Sequence, residues 1–187
     1  MIKRLVLASA SPRRCELLKY ISDDFSVIVS DCEEVKGGMD AEDMVKENAR
    51  AKAGSVFADN RDALVIGADT VVVIDGDILG KPESRDEAAA FLRRLSGRSH
   101  HVMTGVCIMS GDEERVFCEK TRVTFADLTD EEIKDCLNRE SFLDKAGAYA
   151  IQGVMAKHIT GVEGCFYNVI GLPVSRIYSE LKDMGLM

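Results

Sequence analysis

The sequence predicts an α/β fold in which a mixed sheet carries helices, within one domain spanning residues 1–187. Three observations point there. Short apolar β-forming runs alternate with amphipathic helical stretches. An Asp-Gly pair at 75–76 joins two such runs by a tight turn, which demands antiparallel neighbours. Hairpins and helices follow one another irregularly, unlike the strict alternation of a parallel sheet. At 187 residues, 46% hydrophobic and 30% charged, the chain suits one globular domain that hides roughly 70% of its unfolded surface.

Each element has a local reason. Leu5-Val6-Leu7-Ala8 is a short apolar strand. Ser11 then caps a helix whose first residue is Pro12, with Leu17, Leu18 and Ile21 on its buried face. Phe25 to Val29 reads as a strand. Asp40 caps a long helix with an apolar stripe at Val45, Ala49, Ala53 and Val56. Leu64 to Ala68 is a buried strand that continues through Asp69-Thr70 into Val71 to Ile74, turns at Asp75-Gly76 and returns through Ile78-Leu79. Ser84-x-x-Glu87 is a capping box that opens a helix with Ala88, Phe91, Leu92 and Leu95 on one face, ended by Gly97. Val102 to Met109 and Arg115 to Phe125 are strands joined at Ser110-Gly111-Asp112. Thr129-x-x-Glu132 opens a helix with Ile133, Cys136 and Leu137 inward, and Val174, Ile177, Tyr178, Leu181 and Met184 mark a final amphipathic helix.

Composition excludes several classes of protein. Twenty-four basic against 32 acidic residues leave a net charge of −8, so no basic face is expected for duplex nucleic acid. A polyanionic ligand would need concentrated Lys and Arg plus a metal. The six cysteines form no C-x-x-C pair and read as reduced, mostly buried thiols in a reducing cytoplasm. The apolar run at the N-terminus is too short for a secretion signal, and no stretch approaches membrane-spanning length.

Six constellations bear on chemistry. Ser9-Ala10-Ser11-Pro12-Arg13-Arg14 puts two hydroxyls and two guanidiniums at a helix N-terminus, where free N–H groups favour phosphate. Basic residues in a first turn oppose the helix dipole, so they call for an anion rather than a structural role. Asp69 interrupts a run of buried β-formers, which is costly unless the acid is paired or functional; the alternative is an aspartate bonding turn or bulge backbone. Gly67 and Ala68 beside it leave room for a ligand. Lys52 falls on the apolar side of its helix, one turn from Asn48, so it reaches a carboxylate, meets an anion, or snorkels to solvent. Gly80-Lys81-Pro82 is not a P-loop, and Asp75-Gly76-Asp77 reads as a turn rather than a calcium loop because Leu79 replaces a ligand. Asp144 to Gly153 surrounds Tyr149 and Gln152 with small residues, suiting either a rigid loop whose glutamine amide can read a base edge or an ordinary surface loop. Glu33-Glu34 either offer carboxylates for Mg²⁺ or form a solvated surface, the usual place of paired glutamates. Three histidines, at 100, 101 and 158, form no visible metal site or triad, and His100 and His101 face opposite sides of a strand.

Taken in order, Leu7-Ala8-Ser9-Ala10-Ser11-Pro12-Arg13-Arg14, Gly67-Ala68-Asp69-Thr70-Val71, Gly80-Lys81-Pro82, Leu95-Ser96-Gly97-Arg98-Ser99-His100, Asp144 to Tyr149 with Ile151-Gln152-Gly153, and Asn168-Val169-Ile170-Gly171-Leu172-Pro173 resemble the Maf-type nucleotide pyrophosphatases. The resemblance implies an elongated α/β fold shared with the inosine triphosphate pyrophosphatases, with a central cleft across a bent mixed sheet flanked by helices. It implies a divalent metal, Mg²⁺ or Mn²⁺, and a homodimer. By the same resemblance Ser9, Ser11, Arg13, Arg14, Lys52 and Lys81 hold the triphosphate, Asp69 is the catalytic base and a metal ligand, and Glu34 binds metal. Arg13, Thr70 and Gln152 match the branch that hydrolyses dTTP and UTP rather than 7-methyl-GTP. From Val154 to Cys165 the residues depart from that branch's pattern while the spacing to Leu172-Pro173 is kept. The expected reaction is in-line attack of water on the α-phosphorus, serving to clear unwanted nucleotides. The rivals are a nucleotide-binding regulator of septum formation and a pyrophosphatase for inosine or xanthosine triphosphate.

Overall fold

The computed structural model describes residues 4–187. Among these, the sheet has seven strands: β1 (Leu5–Ala8), β2 (Phe25–Val27), β3 (Leu64–Ile74), β4 (Asp77–Leu79), β5 (Ser99–Ser110), β6 (Glu113–Phe125) and β7 (Ile159–Glu163). They lie in the order β2-β1-β3-β5-β6-β7, with β4 on β3. β1 pairs in parallel with β2 and β3, whereas β3–β4 and β6–β7 are antiparallel, so the sheet is mixed. The helices are α1 (Pro12–Leu18), α2 (Ala41–Ala58), α3 (Arg85–Leu95), α4 (Asp130–Arg139), α5 (Phe166–Ile170) and α6 (Val174–Asp183). Among the described residues no helix is long and apolar enough to cross a membrane. The chain divides into two compact units. One holds the chain through Asp69, Thr104–Glu119 and Gly171–Met187; the other holds Thr70–Met103 and Lys120–Ile170.

In the first unit α2 covers the sheet, with Ala49, Ala53, Val56 and Phe57 packed among Val6, Ala8, Val65 and Cys107. Its start is set by Asp40, whose side chain accepts from the Asp43 amide at 2.9 Å. Two glycines let it lie close. A Cβ at Gly67 would stand 2.5 Å from the Ala49 carbonyl oxygen and 2.7 Å from the Ala53 nitrogen, and one at Gly105 would overlap the Val45 carbonyl. The space beside Gly67, expected for a ligand, is filled by the helix backbone.

In the second unit Leu92, Leu95, Val102, Phe125, Ile133, Leu137 and Tyr149 build the core. Asp75 and Gly76 have φ of 55° and 85°, the left-handed pair of a type I′ hairpin. Arg98 donates to the Asp75 carboxylate at 2.6 Å, which holds that carboxyl below its ordinary range. The capping box of α4 is complete. That of α3 is half built: Ser84 accepts from the Glu87 amide, but the Glu87 carboxylate takes the Glu83 amide at 2.6 Å.

Several boundaries differ from expectation. α1 ends at Leu18, leaving Ile21 half-buried in the following turn. β2 lies at the sheet edge and stops at Val27; Val29 is exposed. Phe91 is only partly buried, and Tyr178 is exposed. The Val154 to Cys165 stretch forms a 3-10 turn over Val154–His158 and the edge strand β7, neither of which shows apolar alternation strong enough to read. α5 has five residues, too short for a helical period. None of the cysteines is in a disulfide, but only Cys107 and Cys136 are buried. Burial pushes the Cys107 thiol up to about 12, so it stays protonated.

Candidate functional site

Asp69 lies within β3 and is 9% exposed. A carboxylate so placed must be paired. Its Oδ1 accepts from Lys52 Nζ at 2.7 Å and its Oδ2 from Asn48 Nδ2 at 3.0 Å. Asn48 and Lys52 are one turn apart on α2, so one helix face supplies both donors. Side chains two apart on a strand share a face. The bare Cα of Gly67 therefore admits α2 to the face on which Asp69 projects. Lys52 Nζ also stands 2.7 Å from Glu34 Oε1, making one ammonium the bridge between two carboxylates.

Asn48, noted in the sequence only as a neighbour of Lys52, belongs to the same cluster. It is 2% exposed, and besides Asp69 it exchanges two hydrogen bonds with the backbone of Val35: the Val35 amide donates to Oδ1 at 2.8 Å, and Nδ2 donates to the Val35 oxygen at 3.0 Å. It thereby ties the Glu34 loop to Asp69. The available signal was an amide on the apolar stripe of α2, four residues from Lys52.

The Ser9 to Arg14 segment closes on the same strand. Ser11 caps α1, with its hydroxyl 3.5 Å from the Arg14 amide. Ser9 Oγ accepts from the Ser11 amide at 3.2 Å and from Arg14 Nη1 at 3.3 Å. Arg14 further donates to the Ala68 oxygen at 2.8 Å and to the Gly171 oxygen at 2.9 Å. It thus has a structural reason to stand in a first turn, contrary to the dipole argument: it braces the strand immediately before Asp69. Burial lowers its pKa, and the negative field of Asp69 opposes that shift. Arg13 is half-buried beside it.

The structure brings Ser9, Arg14, Glu34, Lys52 and Asp69 together within the first unit. Glu33 is exposed, and Lys52 pairs with Glu34. Thr70, Lys81 and Gln152 belong to the second unit. Thr70 is half-buried, Lys81 is exposed after β4, and Gln152 is exposed on a turn. That turn ends a tightly held loop. Gly147, at φ 67°, packs on Val72 and donates to the Gly80 oxygen at 3.0 Å. The Tyr149 hydroxyl is 2.7 Å from His100 Nε2, and both rings pack edge-on against Phe125. His100 is buried and His101 half-buried, on opposite faces of β5 as expected.

Among the described residues no three His, Cys, Asp or Glu side chains gather as a metal cluster. The oxygens available are those of Glu34 and Asp69, which already share one cation, the Lys52 ammonium. Two carboxylates of this kind suit a hard divalent ion, which prefers oxygen ligands.

A family model described as Maf-like protein matches residues 4–184. The chain belongs to the Maf-like family. This Maf-like chain is 48% identical to a dTTP/UTP pyrophosphatase of Bacillus velezensis, over 100% of its own length and 99% of the relative's. It is 46% identical to a dTTP/UTP pyrophosphatase of a Geobacillus species (98% and 100% covered) and 44% identical to one of Bacillus cereus (99% and 97% covered). Among solved structures it is similar to the Staphylococcus aureus Ham1 protein, with a TM-score of 0.56 and 14% identity over 97% of this chain and 100% of that one. That likeness is one of fold.

Proposed function

We propose that this Maf-like chain hydrolyses dTTP and UTP to the monophosphate and pyrophosphate, as the names of its relatives suggest, and so clears nucleotides from the pool. The observation that supports an enzyme is the buried Asp69 carboxylate, aimed by Lys52 and Asn48 and joined through Lys52 to Glu34. A protein that only bound nucleotide would have no use for an acid so held.

Water attacks the α-phosphorus, the bond from that phosphorus to the β-phosphate bridging oxygen breaks, and pyrophosphate leaves with that oxygen. Asp69 takes the proton from the attacking water and later returns it to solvent, a positioned-base contribution of about 10²–10⁴-fold. Lys52 and Asn48 keep the carboxylate pointed at the water. Ser9, Ser11, Arg13 and Lys81 donate to phosphate oxygens, where charge-assisted bonds are strongest. Arg14 fixes the Ala68 carbonyl and the Ser9 hydroxyl. Glu34 and Asp69 would hold Mg²⁺ or Mn²⁺, which would neutralise charge on the phosphate oxygens. Thr70 and Gln152 face the base; the glutamine amide both donates and accepts, matching the carbonyl and N–H edge of uracil or thymine. The working form is a homodimer in the cytoplasm.

The test is release of pyrophosphate from dTTP, UTP, CTP, inosine triphosphate and 7-methyl-GTP with Mg²⁺. The expected ranking puts dTTP and UTP first. Preference for 7-methyl-GTP or inosine triphosphate overturns the substrate, and binding without turnover of any triphosphate overturns the enzyme.

A further inference from the structure

The residues from Lys145 to Val154 lie in a loop whose backbone is pinned, while Gln152 alone of its last turn is open to solvent: Ile151 is buried, and Gly153 and Val154 are half-buried. What pins the far side of that turn is a side chain from another element. Glu140 follows the last residue of α4, a helix fixed at its start by a complete capping box. Its Oε2 accepts from the Val154 amide at 2.9 Å. A Cβ at Gly153 would overlap both oxygens of the same carboxylate, so the carboxylate lies flat against the Gly153 backbone. The turn is closed by the Gly153 amide donating to the Ala150 oxygen at 3.1 Å.

The carboxylate is itself held. Lys145 is 8% exposed, and its ammonium donates to the Ser141 oxygen at 2.5 Å and to Asp144 Oδ1 at 2.9 Å, with Glu140 Oε1 at 4.0 Å. Glu140 therefore bonds the amide that follows the Gln152 turn and stands near Lys145 at the start of the loop. Asp144 is the closer partner of this ammonium, and the positive charge at 4.0 Å adds a weaker pull that favours the inward position of Glu140.

We infer that Glu140 is a positioning residue for base discrimination, setting the turn that presents Gln152 to the nucleotide base. The inference rests on the reading that Gln152 meets the base. Glu140 touches no reacting atom. Its loss lets the Gly153–Val154 peptide shift, and a hydrogen-bonding amide displaced by even a fraction of an ångström loses its match to uracil or thymine. Chemistry at Asp69 is untouched, because the Asp69 contacts lie in other residues.

The experiment is steady-state kinetics on dTTP, UTP and CTP with the full-length protein, comparing wild type, Glu140→Ala, Glu140→Gln, Glu140→Asp and Gln152→Ala. Glu140→Ala is expected to lower kcat/KM for dTTP and UTP about tenfold, through KM, with kcat nearly unchanged, and to narrow their advantage over CTP. Glu140→Gln keeps an acceptor for the Val154 amide and is expected to recover most of the discrimination. If Glu140→Ala does not fold, Glu140→Asp, which keeps the charge but withdraws it from Val154, is expected to narrow the ranking in its place. A lower Tm with the nucleotide ranking intact, or an equal fall in kcat for all three nucleotides, overturns the inference. If Gln152→Ala also leaves the ranking intact, the reading of Gln152 fails first. If Gln152→Ala narrows the ranking and no Glu140 variant does, the fault lies with Glu140 alone. Combining Glu140→Ala with Gln152→Ala should add nothing beyond Gln152→Ala, since both act on one contact.

Discussion

At Asp69 the working group is a carboxylate 9% exposed, held by two side chains of α2. At Gln152 the side chain is exposed, and it is the backbone around it that is held, by Glu140, Tyr149 and the contacts of Gly147. The first arrangement fixes the position of the carboxylate proposed to take the proton. The second leaves a neutral amide free to meet whatever arrives, while removing slack from its support. Damage to the first should cost turnover. Damage to the second should cost discrimination.

The largest expected effect is at Asp69. Asp69→Asn keeps the size but removes the base and one of the two acceptors. An amide oriented to accept from Lys52 turns its NH₂ toward the Asn48 NH₂, so two donors face each other. Turnover should fall about 10²–10⁴-fold with nucleotide binding retained. The measurement is pyrophosphate release beside direct nucleotide binding; equal rates for variant and wild type would remove Asp69 from the mechanism.

Gly67→Ala tests whether the helix contact places the donors. Its Cβ meets the α2 backbone at 2.5 Å, and backbone cannot swing away. Stability should fall by about 1–3 kcal/mol, the usual range for overpacking, and kcat should fall with it as Asn48 and Lys52 move off Asp69. Denaturant melts and kcat on dTTP check both. A stable, fully active variant would mean that α2 tolerates displacement without consequence for Asp69.

In the second region, His100 beneath Tyr149 is expected to make stability fall in acid. His100 is 1% exposed, its Nδ1 has no hydrogen-bond partner, and its pKa is lowered to about 4 by burial first and by His101 second. Its unfolded value is near 6.5. Above that value both states are neutral and the group has no effect on stability. As pH falls from 6.5 towards 4 the unfolded chain takes the proton and the folded one does not, so stability is lost across that window. At pH 5 the loss from this group is about 2 kcal/mol. Denaturant unfolding of wild type and His100→Gln at pH 7.5 and pH 5 measures it: the variant should lose less on acidification by about that amount. Equal losses would place the acid sensitivity elsewhere.

Legibility in the sequence followed the range of the interactions. Ser11, Asp40 and Thr129 were readable as caps because a cap bonds residues two or three positions on. Asp69 stood out as an acid among β-formers, and Lys52 as a cation on an apolar stripe. Long-range contacts were not readable. Gly67 resembled room for a ligand because nothing local says that residues 49 and 53 fill that room. Arg14 resembled a free phosphate donor because its partners, Ala68 and Gly171, are 54 and 157 positions away. Glu140 carried no signal, since its value lies in a backbone amide 14 residues later.

Gly153→Ala makes the comparison sharpest, because it is the same substitution as Gly67→Ala placed in the other region. Gly153 has φ −98° and ψ −157°, extended backbone that alanine adopts freely. The added Cβ would meet the end of a side chain, the Glu140 carboxylate, rather than a helix backbone. A side chain can rotate away where a backbone cannot, so the loss of stability should be small, below about 1 kcal/mol. Rotation, however, breaks the bond to the Val154 amide and draws the carboxylate from Lys145. The substitution should therefore leave Tm and kcat almost unchanged while raising KM for dTTP and UTP and narrowing their lead over CTP. Thermal melts and kcat/KM for the three nucleotides decide it. Should Gly153→Ala instead lose kcat and stability together, as expected of Gly67→Ala, the Gln152 turn would prove to be built on the same rigid plan as Asp69.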